Sequence, residues 1–186
     1  MKKSQVVILT IGIILVLISI FAGSYNGLVR LDEEVSSKWA QVENQLKRRA
    51  DLIPNLVNTV KGYANHEENA FLGIAKARSG ILEANTPKEY AKAYDELSKS
   101  MQSLNIVVEK YPELKANENF IKLQDELAGT ENRLTVSRMD YNEVVKKFNS
   151  KVRKFPTNII ANMFGFTQKE YFEISPEDTK VPEVKF

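Results

Sequence analysis

The sequence contains no cysteine. This excludes disulfides, thiolate metal sites, a cysteine nucleophile and an N-terminal lipid-modified cysteine, and it leaves the redox compartment open. There is one histidine, His66. Any site that needs two imidazoles from one chain is therefore excluded, including a di-iron bundle with a Glu-x-x-His pair on each of two helices. His66-Glu67-Glu68 is half of a zinc-helix motif, but the second histidine would fall where Ala70 stands. Only a carboxylate-only calcium site is left open. A Ser–His–Asp set would have to use His66, and nothing near it supports one. No Gly-rich phosphate loop and no nucleophile elbow is present. The formal net charge is only +2, so whole-protein attraction to nucleic acid is not indicated. These absences predict a chain with no catalytic residues, no cofactor and no metal.

What is present is organised by helical period. Val35, Trp39, Val42, Leu46, Arg49, Ile53, Leu56, Val60, Tyr63, Glu67, Ala70, Ile74, Ala77 and Ile81 recur every three or four residues. Upstream, residues 6–22 carry no charge, and about 17 residues at ~1.5 Å each nearly cross a hydrocarbon core of about 30 Å. A retained membrane anchor is favoured over a cleaved signal peptide, whose apolar region is shorter, roughly 7–15 residues. Downstream, Thr86-Pro87-Lys88-Glu89 predicts a capped helix start. Tyr90, Ala93, Leu97, Met101, Leu104 and Val108 share one face of that helix, which Tyr111-Pro112 ends. A fourth helix starts near Asn117 or Asn119, with a seam from Leu127 to Phe155, and Pro156 closes it. Residues 158–164 form a short helix ended by Gly165. From Thr167 onward no helical period remains, and an extended tail is expected, docked only where its aromatics find a groove.

The run WAQVENQLKRRADLIPNLVNTVKGYANHE, with Tyr25-Asn26-Gly27-Leu28-Val29 upstream and Glu131-Asn132-Arg133 downstream, closely resembles the LemA family of bacterial membrane proteins. The resemblance implies an all-α fold: an N-terminal transmembrane helix followed by an antiparallel four-helix bundle with long helices. It implies no catalytic residue. The expected division is a membrane anchor at 1–24, a helical bundle at 25–165 and an extended tail at 166–186. The segment 51–54 leaves two readings. Pro54 sits in the first turn of a new helix capped by Asp51, or one helix runs on through a proline kink. The unbroken seam favours the kink; the family resemblance favours a turn and a bundle, and the bundle reading is adopted.

Arg49, Glu67, Glu131 and Arg138 fall where their helices expect apolar residues. A buried charge needs a partner, so a core polar network is expected, with each glutamate near an arginine. Fixing helix register outweighs ligand binding as its role. The basic clusters 47–49 and Lys146, Lys147, Lys151, Arg153, Lys154 read as solvated faces, or as contacts to anionic headgroups or phosphate. Val184 and Phe186 are a candidate partner-binding tail, weighed against packing of Phe186 on its own bundle. The expected partners are the lipid bilayer and an envelope protein, and a homo-oligomer is left open. The expected location is a single-pass place in the cell membrane. Lys2 and Lys3 favour an outside domain; the family resemblance implies the reverse.

Overall fold

The computed structural model describes residues 3–64 and 66–173. Among these there is helix and no strand: α1 (Lys3–Lys61), α2 (Glu68–Glu83), α3 (Pro87–Glu109), α4 (Pro112–Lys115), α5 (Glu118–Arg153) and α6 (Thr157–Phe164). The chain divides into two compact units, Met1–Lys38 with Glu143–Lys169, and Trp39–Asn142 with Glu170–Phe186. Val184 and Phe186, the candidate partner-binding tail, lie outside the described residues.

The first unit holds the start of α1, the end of α5, and α6. The apolar run in α1 is exposed all round: 0% of its most apolar window is buried. It is the one helix among the described residues that is long and apolar enough to cross a membrane. α1 continues without interruption through Asn26-Gly27. Burial begins with Leu28 and Val35, together with Val145, Phe148 and Val152 of α5 and Ile160 and Ala161 of α6. α6 ends as expected. Gly165 takes φ 74°, and the Phe166 N–H donates to the Ala161 carbonyl at 2.9 Å, which satisfies a terminal acceptor. The extended segment that follows is held by Asn149. Its amide donates to the Lys169 carbonyl at 2.9 Å and its oxygen accepts from the Lys169 N–H at 2.8 Å. The Lys169 ammonium pairs with Asp32 at 2.7 Å and lies 5.5 Å from the centre of the Phe148 ring.

The second unit buries the seam. Val42, Leu46, Ala50, Ile53, Leu56 and Val60 of α1 are fully enclosed, as are Ile74 and Ile81 of α2 and Leu97 and Leu104 of α3. Phe120, Leu127, Leu134 and Tyr141 of α5 are buried at strict seven-residue spacing, the period of a supercoiled seam. α2 and α3 form a hairpin. Thr86 accepts from the Glu89 N–H at 3.2 Å while Glu89 accepts from the Thr86 N–H at 3.3 Å, closing the capping box. A Cβ on Gly80 would meet Ala93 at 3.4 Å, and one on Gly73 would meet Ser100 at 3.6 Å. These pairings move seven residues up one helix and seven down the other, as antiparallel neighbours must. Asn117 caps α5, its side-chain oxygen accepting from the N–H groups of Asn119 and Phe120 at 3.0 and 3.1 Å.

The expected turn at 51–54 is corrected: α1 runs through Pro54 to Lys61. An interior proline costs a helix about 3 kcal/mol. Burial of Ile53, Leu56 and Val60 contributes about 1.5–3 kcal/mol each, so tertiary packing wins. Pro54 has no N–H to give the carbonyl of Ala50, four residues back. Arg78 of α2 supplies the missing donor, its Nε reaching the Ala50 oxygen at 2.9 Å. The reversal comes later, where Tyr63 and Ala64 both donate to the Val60 carbonyl before α2 begins at Glu68.

Candidate functional site

Four charged seam positions were expected to form one network, and the structure separates them. Arg49 of α1 and Glu131 of α5 meet: the guanidinium donates to one oxygen of the carboxylate. Tyr94 of α3 donates its hydroxyl to the other oxygen, and the guanidinium carbon lies 5.6 Å from the centre of its ring. Glu67, by contrast, lies just before α2, and its partner is Lys110 at 3.5 Å rather than an arginine. The end of the helix moves Glu67 off the seam, so it meets the lysine that follows α3. Arg138 is half-buried, and no carboxylate partner for it is found among the described residues.

A second tyrosine–carboxylate pair stands one turn earlier on α3. Tyr90 donates to Glu43 at 2.9 Å, and Lys47 donates to the same oxygen at 2.7 Å. The hydrogen bond from Lys47, helped by that from Tyr90, holds the Glu43 carboxyl below its ordinary range against the opposing effect of burial. Burial, reinforced by the Glu43 carboxylate, pushes the Tyr90 phenol up to about 12. Burial and Glu131 also raise Tyr94. Both phenols are therefore neutral donors at ordinary pH. Glu131 accepts through both of its oxygens. The arrangement ties α1 to α3 at two levels and brings α5 in at one of them, which suits holding helices in register better than moving protons.

Trp39 lies beside these pairs. Its ring centre is 5.4 Å from that of Tyr90, 5.1 Å from Tyr141 and 6.1 Å from Phe172. Phe172 is fully buried in the extended segment after α6. Its backbone is gripped by Asn142, which donates to the Phe172 carbonyl at 3.0 Å and accepts from its N–H at 2.9 Å. Tyr141 adds a hydrogen bond from its hydroxyl to the Glu170 carbonyl at 2.8 Å. The sequence reading expected docking only where the tail's aromatics find a groove, and it named neither Phe172 nor Asn142. The signal available was a pair of asparagines seven residues apart on α5, Asn142 and Asn149, beside an otherwise apolar row.

On another face of the second unit, Ile53, Pro54, Val57, Phe71, Leu72 and Arg78 help line an open groove of about 650 Å³. Leu72 is 67% exposed there, and Lys61 lies over the Phe71 ring, 5.3 Å from its centre. No group of three or more His, Cys, Asp or Glu side chains suited to a metal occurs among the described residues.

Comparison with known proteins follows this architecture. The protein LemA of Metamycoplasma hominis is 27% identical over 172 residues, covering 90% of this chain and 76% of that protein. Magnetosome protein MamQ 2 of Paramagnetospirillum magneticum is 25% identical over 178 residues, and magnetosome protein MamQ of Magnetospirillum gryphiswaldense is 23% identical over 178 residues. Each of these two alignments covers 82% of this chain and 65% of the relative, so the chain spans just under two thirds of their length. The model of the LemA family matches residues 38–186, and the chain belongs to that family.

Proposed function

We propose that this chain is a single-pass membrane protein whose helical domain is a four-helix bundle of α1, α2, α3 and α5 acting as a scaffold or adaptor in the bacterial cell envelope. The carrying observation is the contrast within α1. Its first part is apolar on every side and uncovered, which suits lipid, while its later part is buried along one seam. Arg49 and Glu131 engage each other, which supports an interaction role over ligand binding by these two residues. The groove beside Pro54, with Leu72 exposed in it, is the surface this reading assigns to a protein partner. An amphipathic helix is the partner element that fits such a groove. No enzymatic role is proposed. The helical domain is assigned to the outer side, following Lys2 and Lys3 ahead of the span.

Crosslinking from intact membranes through a photoreactive residue at Leu72 tests the interaction. A discrete adduct, lost in Phe71→Glu, is expected; crosslinks to lipid alone overturn it. Protease added to spheroplasts tests the orientation. Digestion of the helical domain is expected, and its protection reverses the assignment.

A further inference from the structure

α6 is short, and its exposed side is largely apolar, with Asn162 the polar residue on it. Ile159 and Met163, one turn apart, are 51% and 67% exposed, and Phe155 just before the helix is 75% exposed. The opposite side, with Ile160 and Ala161, is buried. The helix therefore has two apolar sides, and only one is used inside the unit. Such a side is costly in water unless something covers it.

Two observations identify the cover. The first is position. The Phe164 ring centre lies 5.9 Å from that of Phe21 and 4.7 Å from that of Tyr25, and Phe166 is 6.1 Å from Tyr25. Phe21 is in the last turn of the apolar run, and Tyr25 is one turn beyond it, at the depth where amphipathic rings settle. α6 is thus fastened to the level at which the span leaves the hydrocarbon. The second is charge. No Asp or Glu occurs between Val144 and Lys169, while Lys146, Lys147, Lys151, Arg153, Lys154 and Lys169 do. Lys147 and Lys169 are paired with Glu143 and Asp32. Arg153 and Lys154 are exposed immediately ahead of α6. Basic residues flanking an apolar helix face are the pattern of a helix lying in an anionic lipid interface.

We propose that α6 is an interfacial helix: Ile159 and Met163 insert at the headgroup–acyl boundary of the bilayer that α1 crosses, and Arg153 and Lys154 contact anionic headgroups. The inference rests on the reading of residues 6–22 as a membrane span. The absence of native cysteine makes single labelling clean. Ile159→Cys, Met163→Cys and, as a control inside the span, Leu15→Cys would each carry a nitroxide in the full chain. The chain would be reconstituted in nanodiscs of phosphatidylcholine with phosphatidylglycerol. Collision with oxygen and with a water-soluble nickel chelate reports depth. Oxygen collisions exceeding nickel collisions at all three sites are expected. The labels on α6 should become shallower in phosphatidylcholine alone, and also in R153Q/K154Q with the anionic lipid present. Water-like accessibility at Ile159 or Met163 with Leu15 still in lipid overturns the inference and leaves the span intact. Water-like accessibility at Leu15 overturns the span, and the inference with it. Equal depth in both lipids removes the anionic headgroup as the partner and overturns the proposal as stated.

Discussion

Residues 7–21 and 42–60 belong to the same helix and draw on the same aliphatic side chains, yet they meet opposite fates. In the first stretch Val7, Ile8, Leu9, Ile11, Ile13 and Ile14 are all exposed, as is nearly every large residue after them. In the second, Val42, Leu46, Ile53, Leu56 and Val60 are buried, while Lys47, Asp51 and Asn55 between them face out. Hydrophobic content does not separate the two; arrangement does. An apolar surface with no polar side has no neighbour to choose, and only a surrounding apolar solvent satisfies it. A seam chooses a direction and calls for partner helices.

The contrast is broken most strongly by exchanging the rules of the two stretches. Ile14→Arg is expected to weaken membrane insertion by about 2.5–3.5 kcal/mol, the cost of an arginine near the centre of a spanning helix, read as the inserted fraction in a translocation assay. Arg49, in the buried stretch, is tolerated because Glu131 and Tyr94 receive it. Leu56→Ala should destabilise the helical domain by about 2–5 kcal/mol in denaturant titration, through lost burial and a cavity. Ile14→Ala in the same titration should change little. Arg49→Ala is expected to cost about 1–3 kcal/mol by leaving Glu131 short of a donor. The Glu131 side chain is 36% exposed, so water replaces part of what is lost, and the larger figure for a fully enclosed pair does not apply.

Smaller effects sharpen the picture of how the buried stretch accommodates Pro54. Arg78→Ala should cost about 0.5–1.5 kcal/mol through the hydrogen bond to Ala50. In a Pro54→Ala background the cost should shrink, because residue 54 then has its own N–H for that carbonyl. A double-mutant cycle with no coupling would remove Arg78 from this role. Tyr141 adds a pH test. Burial first, and the Glu170 carboxylate second, push its phenol up to about 12. The folded protein thus holds the proton after the unfolded chain, near pH 10, has released it. Stability should be intact below about pH 10 and fall as pH rises toward 12. A melting series in Tyr141→Phe should show a shallower decline. The smallest effect is expected at Arg138→Ala, under about 0.5 kcal/mol, because no carboxylate among the described residues waits for that charge.

Much of the helical order was legible because it depends on neighbours in sequence. Thr86 and Glu89 cap α3 three residues apart, Tyr111-Pro112 ends it, and Gly165 ends α6. Readings that depended on distant residues fared differently. Pro54 was read as a helix start because a turn there suits the bundle that the family resemblance implies; the donor that lets α1 run on, Arg78, is 28 positions from Ala50 and on another helix. Arg49 and Glu131 were marked by interrupting apolar seams, but Tyr94 was not, since it lies beside the row of Tyr90, Ala93 and Leu97 that the period picks out. Glu67 was assigned an arginine by extending a period past Lys61, where the helix has already stopped. The docking of Phe172 left no periodic trace, because what Asn142 grips is main chain.

That grip has a consequence for how the segment can vary. Asn142 and Asn149 each present one donor and one acceptor to a peptide group, and neither consults the side chain attached to it. Around Phe166, Lys169 and Phe172, whose side chains have partners of their own, the segment is therefore free to drift in sequence as long as it remains extended. The asparagines are not. Aspartate lacks the donor, and glutamine places the same amide one methylene too far. Among related chains, substitutions should accumulate in residues such as Tyr171 while the two amides on α5 stay fixed, so the constancy of this attachment would be written in the helix and not in the segment it holds.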